Sequence, residues 1–301
     1  MHAAVLRYVR EVARSGSMRR AAAVLNVASS AVNRQILALE AELGVRLFDR
    51  LPEGVRPTPA GELLLRHVGD TLHDYDRLIA DLDGLRGVRS GHVRVVALDS
   101  LLADFLPRVL ADFSRRYDAI TFAVEAVAPM AVFEQIIAGE AELGLGFVTP
   151  TSPTVRLAAS VRMPVGAVML PSHRLARRGA LTFDDFAGDA VLLQRETLPL
   201  ALFSDDSFAA FRSAVRPRLV SNSIELLRQA IRAGLGVAFF TRLGFLREIA
   251  SGELVWVPLA AAQLAELRLG LFAPAQRTLS PAAAALLDEL AGRLSGLEET
   301  P

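Results

Sequence analysis

The chain has 301 residues, 52% hydrophobic and 22% charged, with a formal net charge of zero. That is ample apolar material for two or three domains with their own cores. Cysteine is absent, which excludes disulfides and thiolate metal sites. No run approaches the ~18 apolar residues of a membrane span, and no signal-peptide stretch opens the chain, so a cytoplasmic protein with no membrane partner is expected.

The zero net charge hides an asymmetry. Residues 1–60 hold nine Arg against five acidic residues, while the remainder holds 24 Arg against 28. A basic head on an acidic body suits a protein that touches nucleic acid at one end. Every basic residue is Arg, which with the abundant Ala points to GC-rich coding rather than to function.

Residues 3–14 read as a first helix with Val5, Leu6, Val9 and Val12 facing inward. Ser17 is a good N-cap for a short second helix whose apolar inner face is Ala21, Ala22, Val24 and Leu25. Asn26 tolerates left-handed backbone and suits a tight turn. A third helix then starts near Ser29 and runs to Leu43, with Gly44 as its C-cap. Its buried face is Ala31, Val32, Ile36, Leu39 and Leu43. Ser29, Ser30, Asn33, Arg34 and Gln35 remain near its outer N-terminal turns, where a helix-turn-helix enters the major groove of double-stranded DNA. No acidic residue separates Glu11 from Glu40, while Arg14, Arg19, Arg20 and Arg34 fall between them. Phosphate attraction needs such a one-signed face. Arg34 can fork onto guanine and Asn33 can pair with adenine. An ordinary helical hairpin with a solvated basic face is the plainer alternative.

Residues 46–50 and 54–57 flank the turn Leu51-Pro52-Glu53 and read as a hairpin wing. Its Arg50 and Arg56 can lie along phosphates or enter a minor groove. Thr58-Pro59 opens a long helix, Thr as N-cap and Pro at the first helical position. It runs to about Arg86, roughly 43 Å at 1.5 Å per residue. Gly61, Leu65, Val68, Leu72, Tyr75, Ile79 and Leu82 recur at intervals of four and three, the spacing of a coiled-coil seam. A dimer seam is preferred over packing against its own chain, because two-fold DNA sites need paired readers. Residues 88–91 form the hinge that follows.

From His92 the pattern alternates. Strands at 93–98, 121–127 and 143–148 enclose helices at 100–116 and 130–138, a βαβαβ unit with a parallel sheet. A second run has strands at 165–170, 190–193, 218–220 and 237–240, with helices at 183–187, 205–215 and 223–233. A strand at 267–273 and a helix at 281–294 close the chain. Residues 137–147 and 231–240 echo one another as helix end, glycine, then buried strand.

The N-terminal third resembles the winged helix-turn-helix of LysR-type transcriptional regulators. The carriers are Gly16-Ser17-Met18, Ala21-Ala22, Leu25, residues 31–36, Leu39-Glu40, Leu43-Gly44, Leu47-Phe48 and residues 58–61. Two positions depart from the family: Ala28 replaces the usual Ser or Thr before the recognition helix, and Asn33 replaces the usual Ser. The first removes a capping hydroxyl worth about 1 kcal/mol, which Ser29 can supply by starting the helix one residue later.

The resemblance implies an architecture. A winged helix-turn-helix occupies 1–59 and a linker helix 58–87. A bilobal α/β effector module like a periplasmic binding protein follows, with one lobe from 92–162 plus 266–295 and the other from 163–265. It also implies a small organic effector between the lobes, a homodimer or homotetramer, and an encounter with RNA polymerase.

In α/β lobes ligands sit at the carboxyl ends of strands. Those ends supply Asp99, Ser100, Leu101, Met130, Phe147, Thr149, Ser223 and Thr241 as candidate effector contacts. Ser100 and Ser223 stand at helix starts, where hydroxyls and backbone amides can hold an anion, although plain N-capping explains each equally well. Asp99 argues against a simple anion unless an arginine such as Arg195 offsets it. Leu101, Met130 and Phe147 suggest an apolar wall and an organic ligand. An enzyme is the main rival reading. The five His are scattered, and no HExxH, GxSxG or P-loop pattern is present. No cofactor is expected.

Overall fold

The computed structural model describes residues 3–52, 54–85, 90–149, 153–195, 211 and 215–297. They divide into two compact units. The first runs to Val88 and includes Ile137–Glu140; the second holds the rest.

The first unit is a helical core with a two-stranded ribbon. Helices α1 (Ala3–Ser15), α2 (Met18–Val24) and α3 (Ser29–Leu43) are followed by β1 (Phe48–Leu51) and β2 (Gly54–Pro57), then α4 (Pro59–Leu85). Local chemistry sets these boundaries. The Ser17 hydroxyl accepts from the Arg20 amide and caps α2. Asn26 takes φ 53° and turns the chain, and Gly44 takes φ 70° and ends α3. Thr58 accepts from the Gly61 amide at 3.1 Å and donates to the Arg46 carbonyl at 2.7 Å.

The core joins Leu6, Val9, Val12, Ala21, Ala22, Val32, Ile36, Leu39, Leu47 and Phe48 with Val68 and Leu72 of α4. This corrects three expectations. Val68 and Leu72 are only 0% and 2% exposed within the chain itself, so they are core rather than dimer seam. Leu65 is half-buried against the same cluster. The heptad spacing is real, but α1 occupies its first half. Tyr75 stays exposed, as does its neighbour Leu78. The side chains of Ile79 and Leu82 lie outside the described residues. In α2 and α3, Val24 and Leu43 are exposed rather than inward. Ala28, not Ser29, is the N-cap of α3, and no side chain caps it.

The second unit contains two five-stranded mixed sheets. The first has β3 (Gly91–Ala97), β4 (Ile120–Ala126), β5 (Leu143–Phe147), β6 (Val155–Arg162) and β12 (Arg268–Pro274), in the order β4-β3-β5-β12-β6. The second has β7 (Val165–Met169), β8 (Val191–Gln194), β9 (Leu219–Ser221), β10 (Val237–Thr241) and β11 (Val255–Pro258), in the order β11-β7-β10-β8-β9. In each sheet one strand, β12 in the first and β7 in the second, runs against the other four. The strands expected to be parallel in the first sheet, β3, β4 and β5, are so. The echo noted in the sequence falls on β5 and β10, the third strand of the two matching orders. Gly139 at φ 73° and Gly234 at φ 74° end the helices that precede them.

Helices α7 (Pro129–Ile137), α8 (Ile224–Arg232) and α11 (Pro281–Ser295) pack on the sheets. The long helix expected at 100–116 is instead two, α5 (Asp99–Leu102) and α6 (Phe105–Ser114). Asp104 breaks it: its backbone leaves helical geometry at φ −148°, and its buried carboxylate takes Arg247 at 2.7 Å and Arg108 at 2.9 Å. The strands β6 and β11 were not anticipated, nor were the short helices α9 (Leu246–Ala250) and α10 (Ala262–Ala265). The helix expected at 205–215 lies outside the described residues, except for residues 211 and 215.

The chain passes from the first sheet to the second at Met163-Pro164 and returns between Pro258 and Arg268. The two crossings touch: the Met163 amide donates to the Leu267 carbonyl at 2.7 Å, and the Leu259 amide to the Val165 carbonyl at 3.1 Å.

Candidate DNA interface and ligand cleft

Helix α3 and the ribbon β1–β2 form one polar surface. Ser29, Ser30 and Arg34 are exposed at the first turns of α3, with Asn33 and Gln35 half-buried beside them. Arg19 and Arg20 are exposed on α2, and Arg50 and Arg56 on the ribbon. Arg50 does not stand alone: its Nη2 donates to Asn33 Oδ1 at 2.8 Å. Arg56 faces Asp49 in the ribbon register, which tempers its charge. Arg14 is spent on Glu11 at 2.8 Å, so it adds little to a phosphate-attracting face.

The ribbon is held where it is by backbone and by one carboxylate. Glu40 Oε1 accepts from the amides of Leu47 at 2.7 Å and Phe48 at 3.2 Å. The Val55 amide donates to the Gly16 carbonyl at 2.9 Å. Gly54 sits at φ 152°, and a Cβ there would stand 2.3 Å from the Gly16 oxygen, so only glycine fits. Gly61 is required in the same way, since a Cβ would lie 2.1 Å from the Leu47 oxygen. Both contacts explain glycines whose close backbone approaches are not visible in the sequence.

In the second unit the carboxyl ends of parallel strands from both sheets enclose a cavity of about 350 Å³. Asp99, Ser100 and Ser223 line it, as anticipated, together with Leu98, residues 126–129, Gln194, Arg195 and Asn222. Asp99 does more than line it. Its Oδ2 accepts from the Ile224 amide at 2.9 Å, closing the N-terminus of α8 across the two sheets. Ser223 is the N-cap of that helix, accepting from the Leu226 amide at 3.3 Å, and the structure gives it the ordinary capping role.

Five anticipated contacts are not in the lining. Leu101 and Phe147 are core residues, 0% and 5% exposed, because they lie on the inner face of α5 and in a strand buried throughout. Met130 is 52% exposed on α7, outside the cavity. Thr149 and Thr241 also lie outside it, Thr241 buried at the start of a single 3-10 turn. The apolar wall is Leu98 with residues 126–129 instead. The polar side holds a residue that sequence reasoning missed: Gln194, whose Oε1 is buried with no hydrogen-bond partner among the described residues. Its position at the end of β8 was the available signal.

Two family models cover nearly all of this. Residues 4–62 match the bacterial regulatory helix-turn-helix protein, lysR family, and residues 86–295 match the LysR substrate binding domain. Among curated relatives, the chain is 28% identical over 236 residues to the RuBisCO operon transcriptional regulator of Allochromatium vinosum, covering 77% of each chain. It is 26% identical over 241 residues to the transcriptional activator protein LysR of Escherichia coli, covering 80% of this chain and 78% of that one. Among solved structures, a full-length OxyR variant from Pseudomonas aeruginosa has a TM-score of 0.68 at 18% identity, covering 98% of this chain and 94% of that one. CbnR in complex with its target DNA has a TM-score of 0.58 at 19% identity, covering 97% and 100%. At such identities these structures speak for the fold. No helix of the described residues is long and apolar enough to cross a membrane. The two matches, in order and together spanning the basic head and the two-sheet body, make this chain a member of the LysR family of transcriptional regulators.

Proposed function

We propose that the chain binds an operator in double-stranded DNA through α3 and the ribbon, and that a small organic anion in the cavity alters this binding. The observation that carries the DNA reading is the exposed first turn of α3, with Ser29, Ser30 and Arg34, set beside Arg50 of the ribbon. The first-turn amides of α3 have no side-chain cap, so a phosphate oxygen fits there. Arg19 and Arg20 add phosphate contacts, and Arg56 follows the ribbon along the backbone. Arg34 reads guanine.

In the cavity, Arg195 supplies a fork for a carboxylate. Gln194 Oε1, without a partner among the described residues, asks for a donor, and residues 126–129 offer apolar contact. A compact hydroxy- or amino-carboxylate meets all three demands. Asp99 is already committed to Ile224, so it repels the ligand less than a free carboxylate would.

The DNA readers work in pairs in this proposal. Tyr75 and Leu78, exposed on α4 at a spacing of three, provide the face for a homodimer from which a homotetramer is assembled. The regulated output passes through RNA polymerase at the neighbouring promoter.

The test uses the full-length protein and duplexes from the region upstream of its own gene. Affinity that falls steeply with salt is expected, and the absence of any salt-sensitive affinity overturns the DNA reading. A thermal-shift screen of small hydroxy- and amino-carboxylates should raise the melting temperature for at least one compound, and Arg195→Ala should abolish that rise. Catalytic turnover of the stabilising compound would overturn the regulator reading in favour of an enzyme.

A further inference from the structure

At position 33 this chain carries an amide where the family resemblance leads one to expect a serine hydroxyl, and the amide is already engaged. Arg50 Nη2 lies 2.8 Å from Asn33 Oδ1. A guanidinium has only donors, so the amide atom turned towards it must be the oxygen. The pairing joins residues 17 positions apart, from the ribbon to the recognition helix. Arg50 is held in range by the backbone of β1, which Glu40 and the Gly16–Val55 contact fix to the helical core.

The consequence concerns which base is read. Pairing with adenine requires asparagine to accept from N6 and donate to N7 at once. Oδ1 has two lone pairs and Arg50 takes one; the positive guanidinium beside the other repels adenine's N6 amino group, so the two N–H bonds of the amide become its favoured offer to the groove. Guanine presents two adjacent acceptors, O6 and N7, on its major-groove edge. Adenine sets a donor beside its one acceptor, and thymine offers a single acceptor beside a methyl group. We infer that Asn33 and Arg50 form one specificity-determining unit, in which the arginine fixes the amide so that the pair selects guanine and rejects adenine. This replaces the simple reading of Asn33 as an adenine contact. It rests on the proposal that α3 enters the major groove.

The experiment is selection from a random-sequence duplex library by the full-length protein and by three variants, with each variant's melting curve recorded to establish that it folds. Besides the guanine that Arg34 reads, the wild type should enrich guanine at a second base of each half-site, and Asn33→Ala should erase that second preference, roughly 5- to 150-fold. Arg50→Ala frees Oδ1, so the enriched base at that position should change from guanine to adenine. Arg50→Lys keeps a donor-only partner and should retain guanine. Adenine enriched by the wild type would overturn the inference. So would an Arg50→Ala protein that binds more weakly with an unchanged base preference, since Arg50 would then be a phosphate contact only. If the wild type enriches no sequence and shows no salt-sensitive affinity, the groove-binding proposal falls first and takes this inference with it.

Discussion

Asp99, the first residue of α5 and two positions after β3, accepts a hydrogen bond from the Ile224 backbone amide at 2.9 Å, so a carboxylate beside one sheet caps a helix that packs on the other. The cap fills the place an anionic ligand would otherwise take at that helix end. Asp99→Ala should therefore loosen the two sheets in the absence of any ligand. A loss of about 1 kcal/mol is expected, read as a fall of about 2–4 °C in the melting temperature of the second unit. Asp99→Asn keeps an acceptor oxygen and should recover most of it. Calorimetry on the three proteins checks this, and equal melting temperatures would mean the contact contributes nothing.

The two halves of the α4 stripe should behave differently. Leu72 is buried against α1, so Leu72→Asp places a charge in the core and should unfold the first unit. Leu78 is 52% exposed, so Leu78→Asp should fold normally and dissociate the proposed dimer. Circular dichroism and sedimentation velocity together separate the two outcomes. A folded, dimeric Leu78→Asp protein would place the seam elsewhere.

The Gly54–Gly16 contact predicts an intolerant position in the ribbon. Gly54→Ala must move a backbone that is anchored by the Val55 amide, at a cost above about 1 kcal/mol. The first unit should melt earlier, and DNA affinity should drop although residue 54 carries no charge. Gly188, which has φ 85° but open space around it, should show only the backbone penalty when changed to Ala.

Glu289 gives the acid dependence. Hydrogen bonds from Arg116 first and Arg293 second hold its carboxyl below the ordinary glutamate range. A carboxylate with a depressed native pKa stabilises the fold above its unfolded value and loses that contribution as pH falls through the native one. Wild type should therefore exceed Glu289→Gln in stability at neutral pH, with the difference shrinking as the solution is acidified below the usual glutamate range. Denaturant titrations across that window check the sign, and a gap that widens on acidification would contradict it.

What could be read in advance followed from how local each signal was. Ser17, Asn26 and Gly44 set turns and caps through their own backbone chemistry, and the structure places each in that role. Strands β6 and β11 escaped notice because both lie at sheet edges and the burial along them does not alternate, so the period-2 signal of a strand is missing. The heptad spacing of α4 was visible, but spacing alone does not say whether α1 or a second chain fills the groove. The cavity lining was half legible. Strand ends gave Asp99, Ser100 and Ser223, while Leu101 and Phe147 turned inward because their neighbours in three dimensions, not in sequence, decide their exposure. The Asn33–Arg50 pairing depends on the fold bringing wing and helix together, so residue type alone did not show it.

The paired crossings at Met163 and Leu267 have a mechanical consequence. Two strand-to-strand passages that share a hydrogen bond act as a door hung on adjacent pins: the sheets can swing about the line through them, but sliding would tear the Met163–Leu267 bond. A molecule wedged between Arg195 and residues 126–129 would thus meet least resistance to rotation about that line.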